Sequence, residues 1–216
     1  QFSSSTNATV IADTNITAYE VVPGEPKVVH HVIVYSLEDA EAEAEAEALD
    51  LADPADGYPC YGGSKSSRSK MLAAWAPGTG SLTYPEGTGI PIEGGRKMIL
   101  QIHYNIDNGA LPDRTTVKLL TDDTVTNPAT MTIWGTNDLN IPPGQEAHVE
   151  TSISTNPTPV DVRIWGMLPH MHELGVSIRL ERVSADNSDT TCMIDINAWD
   201  FAWQFGYFLE EPLVIK

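Results

Sequence analysis

Basic residues are scarce in this 216-residue chain: 12 Lys and Arg stand against 30 Asp and Glu, a formal net charge of −18. Such a surface repels phosphate backbones and anionic lipid, which argues against nucleic acid as a partner. Cysteine is scarce too. Cys60 and Cys192 lie far apart and neither sits in a CxxC pair, so a thiolate zinc site is not expected. No uncharged apolar run approaches the ~18 residues of a membrane span. No internal repeat of ~20–50 residues recurs.

What is present reads as an all-β chain. Gly 16 and Pro 15 punctuate short runs rich in Val, Ile, Thr, Trp and Tyr. Strands are expected at 27–37, 97–105, 115–120, 131–136, 147–154, 160–167, 175–183 and 191–197. Pro23-Gly24, Pro77-Gly78, Asn108-Gly109 and Pro142-Pro143-Gly144 are turn signals. The hydrophobic pattern weakens over Thr121–Ala129, which predicts two β units, 1–125 and 126–216.

Half of the acidic excess is local. From Glu38 to Asp56 there are nine acids and no base. The stretch EDAEAEAEAEALDL alternates like a strand, but Ala and Glu favour helices and are poor in strands. A short solvated helix or a mobile acidic insertion follows, without chemistry of its own. Calcium is disfavoured because the repeat lacks the oxygen-rich turn that calcium loops use.

The six histidines carry most of the functional information. His170 and His172 form an HxH pair in MLPHMHELG. On a strand, residues i and i+2 share a face, so the pair makes a two-point chelate of neutral imidazoles. Pro169 points to a strand end or edge. His30 and His31 are adjacent in VVHHVIVY. A regular strand sends neighbours to opposite faces, so both grip one ion only if a bulge or strand end re-aims one of them. His103, in ILQIHYN, shares its face with Gln101 and Asn105, the more polar side of that strand. A third imidazole makes a three-nitrogen site, but imidazole suits copper, zinc, iron and nickel alike. His148, in EAHVET, has no partner in the sequence and is expected to be a strand histidine with a local hydrogen bond.

HHVIVY, DGYPCYGG, WAPG with YPEGTG, LQIHYN, IPPG, PHMHELG and WDFAWQ occur in that order. This set resembles the copper type II, ascorbate-dependent monooxygenases, and the bacterial-type relatives in particular, from about Asp13 onward. The resemblance implies two tandem β-sandwich (jelly-roll) domains, each with one copper ion. It implies that His30, His31 and His103 hold the electron-supplying copper. His170 and His172 match two ligands of the oxygen-binding copper and are the catalytic residues. The third ligand of that copper is a methionine beside a cysteine, further toward the C-terminus than Lys216. That cysteine pairs in the family with the position of Cys192. Cys60 also matches a family cysteine, whose partner is expected before Gln1. The chain is therefore expected to be a fragment with an incomplete C-terminal sandwich. Gln101, which shares a face with His103, is expected to orient an imidazole and is counted with the catalytic residues.

The implied activity is hydroxylation of an aliphatic C–H bond by O2 with two electrons from ascorbate, on a small-molecule or peptide substrate, in a secreted protein. One departure bears on the substrate. Peptide-amidating members carry an arginine two positions before the first HxH histidine, to hold the peptide carboxylate. Leu168 stands there and cannot make that bidentate contact. Three alternatives remain: a copper-binding or carrier β protein without turnover, a zinc hydrolase with Glu173 as base, and a structural sandwich with incidental histidines.

Overall fold

The computed structural model describes residues 2–9, 12–55, 57–107, 109–136, 138–156, 158–201 and 203–215, with backbone alone for 2–9. Strands β1 (Phe2–Thr9), β2 (Thr14–Val22) and β3 (Val29–Leu37) precede helix α1 (Ala40–Ala52). Strands β4 (Ser69–Trp75), β5 (Leu82–Thr83), β6 (Thr88–Ile92), β7 (Lys97–Tyr104), β8 (Thr116–Asp122) and β9 (Asn127–Pro128) follow. Strands β10 (Val162–Met167), β11 (Ile178–Val183), β12 (Thr190–Ile196) and β13 (Tyr207–Ile215) complete the order. The chain is thus mostly β-strand with one helix. No helix among the described residues is long and apolar enough to cross a membrane.

The chain divides into two compact units. The first comprises Gln1–Met131, His172–Leu174 and Asp200–Phe205; the second comprises Thr132–Met171, Gly175–Trp199 and Gly206–Lys216. The division is not the plain sequence cut at 125/126, because two short late segments pack with the first unit.

In the first unit, one sheet runs β1-β7-β3-β4 and is antiparallel throughout. The second runs β5-β2-β6-β9, with β8 also pairing β2. Ile16 and Tyr19 from β2, Leu72 and Ala73 from β4, and Ile90 and Ile92 from β6 share one buried cluster with Val34 of β3. The two sheets therefore bury a common apolar layer, and removal of that layer from water is the main stabilising term. Tyr19 keeps its hydroxyl satisfied in this layer by donating to the Ala74 carbonyl at 2.7 Å.

The acidic segment is α1. Asp39 caps it, its carboxylate accepting from the Glu41 and Ala42 amides at 3.1 and 2.9 Å. Pro54, just past the C-cap Asp53, cannot continue the helix. The two-residue repeat gains meaning from helical geometry. Ala42 and Ala46, four apart, lie on one face, are 0% exposed, and pack on Tyr35, Leu37 and Ile99. Glu41 and Glu45 flank that face on one side, and Glu43 and Glu47 on the other. Glu41 pairs with Arg68, and Glu45 accepts from the Ser67 amide at 2.8 Å. Glu43 lies 3.7 Å from Arg96, and Glu47 pairs with Lys97. Of the two expectations the short helix is the one observed, and it is docked: small alanines let it sit close to the sheet while the glutamates clasp both sides. Each exposed pair contributes only about 0–1 kcal/mol, so the alanine face does most of the anchoring.

In the second unit, β10 pairs β13 and β11 pairs β12, both antiparallel. The β11–β12 turn closes with the Ser184 amide donating to the Asp189 carbonyl at 2.9 Å. Hydrogen bonds from the Ser188 and Ser184 hydroxyls and the Ser188 amide hold Asp186 down at about 2. The strands expected at 131–136 and 147–154 do not form among the described residues. Their alternation is genuine, but a strand needs a partner edge, and these residues make no ladder. Strands β1, β2, β4, β5, β6, β9 and β13 were not expected. In β2, β4, β6 and β13, alanine, proline and charged residues blur the alternation, and tertiary pairing overrides it.

Candidate metal centre

The centre begins with strand register. His31 lies opposite His103 across the β3–β7 ladder, while Val29 lies opposite Tyr104. Two steps on β3 thus face one step on β7, and His30 is the extra residue of a β-bulge. A bulge rotates the side chains on either side of it. This breaks the alternation that would otherwise send His30 and His31 to opposite faces.

The result is a convergence of three imidazoles. The Nδ1 atoms of His30 and His31 are 3.2 Å apart, and so are those of His31 and His103. The ring centroids lie 4.6–5.4 Å from one another in edge-on arrangements. The three half-buried residues offer ligand atoms that all lie within 4.8 Å of one another. Two nitrogens bound at ~2.0–2.1 Å to one ion stand roughly 2.9 Å apart at a right angle and 3.3 Å at a tetrahedral one. The observed 3.2 Å falls between those limits, so the donor set fits a single borderline or soft cation such as copper.

The surroundings of β7 differ from expectation. The face carrying Gln101 is covered: Gln101 is 2% exposed, and Ile99 beside it is buried under α1. The Gln101 amide donates to the Cys60 carbonyl at 3.2 Å and to the Gly63 carbonyl at 3.2 Å. Its own carbonyl accepts from the Tyr35 hydroxyl at 3.3 Å. Burial, with a contribution from Cys60, pushes Tyr35 up to about 12, so it stays a donor. Gln101 therefore ties the loop at 60–64 to the sheet and does not orient an imidazole, which corrects the role expected from its shared face with His103. An alternation pattern names a face; it does not say what covers that face.

Next to His103, Tyr104 donates to Asp113 at 2.9 Å. Asp113 also accepts from the Glu25 amide at 2.8 Å and from the Thr115 hydroxyl at 2.8 Å. Partial burial pushes the Asp113 carboxyl up, but these hydrogen bonds outweigh it and leave it below its ordinary value. The network closes the loop that leaves β7 just past His103.

His170 and His172 are placed differently. Strand β10 ends at Met167, and both residues lie exposed in the loop that follows. The shared-face argument for a strand pair therefore does not apply to them, because the strand stops three residues short of His170. His148 is also off any strand. Its Nδ1 lies 3.1 Å from Gln145 Oε1 and its Nε2 lies 2.8 Å from Glu150 Oε1, so the local bond forms without the expected strand. Cys60 is buried and Cys192 exposed, and neither takes part in a disulfide among the described residues.

One residue had a motif but no assigned role. Phe201, in WDFAWQ, packs with the first unit and stacks on His30, with ring centroids 4.8 Å apart and planes at 25°. The same ring meets His172 edge-on at 6.4 Å. Nothing local in the sequence signals this contact.

Comparison with known proteins bears on the same residues. Residues 8–110 match the copper type II ascorbate-dependent monooxygenase N-terminal domain. This part of the chain, just under half of its 216 residues, is similar to that family's N-terminal domain. The match encloses His30, His31 and His103 and ends before the HxH pair and Phe201. The chain is also similar to tyramine beta-hydroxylase of Caenorhabditis briggsae, at 33% identity over 88 residues. That alignment takes in 39% of this chain and 14% of the relative. The matched segment thus contains β3 and β7, the two strands that carry the three imidazoles.

Proposed function

We propose that this chain serves a copper monooxygenase that inserts one oxygen atom of O2 into an aliphatic C–H bond. Two electrons, delivered singly by ascorbate, and two protons convert the other atom to water. The observation that supports this reading is the convergence of His30, His31 and His103 at a β-bulge inside the segment that matches the family's domain. Copper held by imidazoles supplies one-electron redox chemistry and O2 activation. His30, His31 and His103 hold one ion, with ring nitrogens already gathered on one side. His170 and His172 contribute two ligands to a second ion, with a further ligand completing that site. The Tyr104–Asp113 network keeps the end of β7 in place, so that His103 does not drift from His31.

In this reading the two ions belong to two β-sandwich (jelly-roll) domains, and the protein works outside the cytoplasm, in an extracellular or periplasmic setting. The substrate is a small molecule or peptide that does not rely on an arginine at position 168. The test is anaerobic loading with Cu(I), followed by 18O2, ascorbate and a panel of substrates. Product carrying one 18O, at about one ascorbate-derived electron pair per turnover, is the expected result. Copper binding with no labelled product from any substrate would instead favour the carrier reading. That second reading draws on the fact that, among the described residues, His30, His31 and His103 are the group of three His, Cys, Asp or Glu side chains whose ligand atoms converge.

A further inference from the structure

We propose that Phe201 is a positioning residue of the three-histidine centre, held over His30 by a second aromatic anchor at Phe205. This rests on the reading that these histidines hold copper. An imidazole turns about its ring torsion in a broad, two-fold well, so its plane is not set by the backbone alone. The lone pair that binds a metal lies in that plane. A ring stacked at 4.8 Å and 25° restricts the plane of His30 and shields one of its faces from water. His31 and His103 meet the same imidazole edge-on, with ring centroids 5.4 and 4.9 Å from it, so the stacked ring is a contact of a different kind from theirs.

What holds Phe201 is also visible. The Asp200–Phe205 segment packs with the first unit although its chain neighbours belong to the second. At its far end Phe205 lies against Gly78. That glycine has φ +90 in the Ala76–Thr79 turn, which closes with the Thr79 amide donating to the Ala76 carbonyl at 3.0 Å. Pro77 and Gly78 suit the two central positions of a type II turn. A Cβ at Gly78 would stand 2.8 Å from the Phe205 ring, so the absence of a side chain there is what lets Phe205 dock. Trp203 adds an edge-on contact to Phe205 at 4.6 Å. The segment therefore has one aromatic on the metal centre and one on a turn that only glycine accommodates.

The test compares the parent chain with Phe201→Leu, Phe201→Tyr and Phe205→Ala. In the metal-free chain, NMR should place the His30 ring protons upfield, under the Phe201 ring current. Phe201→Leu should remove that shift, Phe201→Tyr should keep it, and Phe205→Ala should reduce it. On titration with copper, Phe201→Leu should weaken binding at the three-histidine site about tenfold, at the low end of what lost ligand support costs. It should also change the Cu(II) EPR hyperfine splitting, and Phe201→Tyr should restore both. If Phe201→Leu folds normally and leaves the His30 resonances, copper affinity and EPR spectrum unchanged, the proposal is overturned. If the parent shows the ring-current shift but binds no copper, the functional reading fails while the placement of the imidazole by Phe201 stands. Should Phe201→Leu fail to fold, Phe205→Ala decides: unchanged His30 resonances in that variant overturn the proposal.

Discussion

The two histidine motifs of this chain have opposite structural standing. His31 and His103 sit on paired strands of one sheet, and His30 sits at a bulge in that pairing. His170 and His172 follow the end of β10 in an exposed loop. In the first region the ladder sets where each imidazole points, and the ring nitrogens lie 3.2 Å apart. In the second region no ladder reaches the residues. A strand-held site is preorganised, so a metal spends little of its binding energy on ordering ligands. A loop-held pair must be ordered by its ligand or by packing, and the edge contact of His172 with Phe201 is the visible instance of packing.

The sharpest way to break this comparison is to remove a strand-held ligand. His103→Ala should lower copper affinity at the three-histidine site by more than about 100-fold, beyond the ~10–100-fold loss of an outer-shell partner. A copper titration followed by EPR would show it. His170→Ala in the same assay should leave that site's affinity within about twofold. Equal losses in the two variants would mean that the histidines share one centre.

The second expected effect concerns support behind the strand-held site. Gln101→Leu strands three buried polar partners: the Cys60 and Gly63 carbonyls and the Tyr35 hydroxyl. At ~1 kcal/mol or more for each, the first unit should lose roughly 3 kcal/mol in urea unfolding. The Cu(II) spectrum of the folded variant should stay as in the parent, because Gln101 bonds no imidazole. A changed spectrum at unchanged stability would restore the catalytic role that the sequence suggested for it.

A smaller effect is pH-dependent. Asp113 has a folded-state pKa below its unfolded value, so its contribution to stability is complete above about pH 4. That contribution is lost as pH falls through the lower folded value. Asp113→Asn should therefore cost ~1–2 kcal/mol at neutral pH and flatten the acid limb of the stability curve. An identical pH dependence in the variant would remove Asp113 from the loop-closing role.

The smallest effect is a null one. Among the described residues His148 bonds Gln145 and Glu150, both in its own neighbourhood. His148→Ala should leave copper content and affinity unchanged, and a drop in bound copper would add an unsuspected ligand to the centre.

How much of this was legible beforehand follows from the range of each signal. Strands β3 and β7 were readable because branched and aromatic residues recur within a few positions. The need for a bulge at His30-His31 was readable as a condition, since adjacent strand residues diverge. Whether the bulge exists depended on how β3 pairs β7. The strands expected at 131–136 and 147–154 had the right local pattern and found no edge to pair with. The face of Gln101 looked polar and open because α1 and the loop at 60–64 arrive from elsewhere in the chain.

By itself the sequence determined the acidic charge, the imidazole donors, the β-rich character, and the means for a helix at 40–52, in its alanines, its glutamates and the Asp39 cap. These depend on composition and on neighbours within about one turn or one strand, where propensity and capping act. Only the tertiary structure decided that His31 meets His103, that Gln101 holds Cys60, that α1 docks through Ala42 and Ala46, and that Phe201 covers His30. His31 and His103 are 72 positions apart, and Gln101 and Cys60 are 41 apart. Contacts over such separations are set by strand register and by the competition of many faces for burial, and no local pattern carries that information.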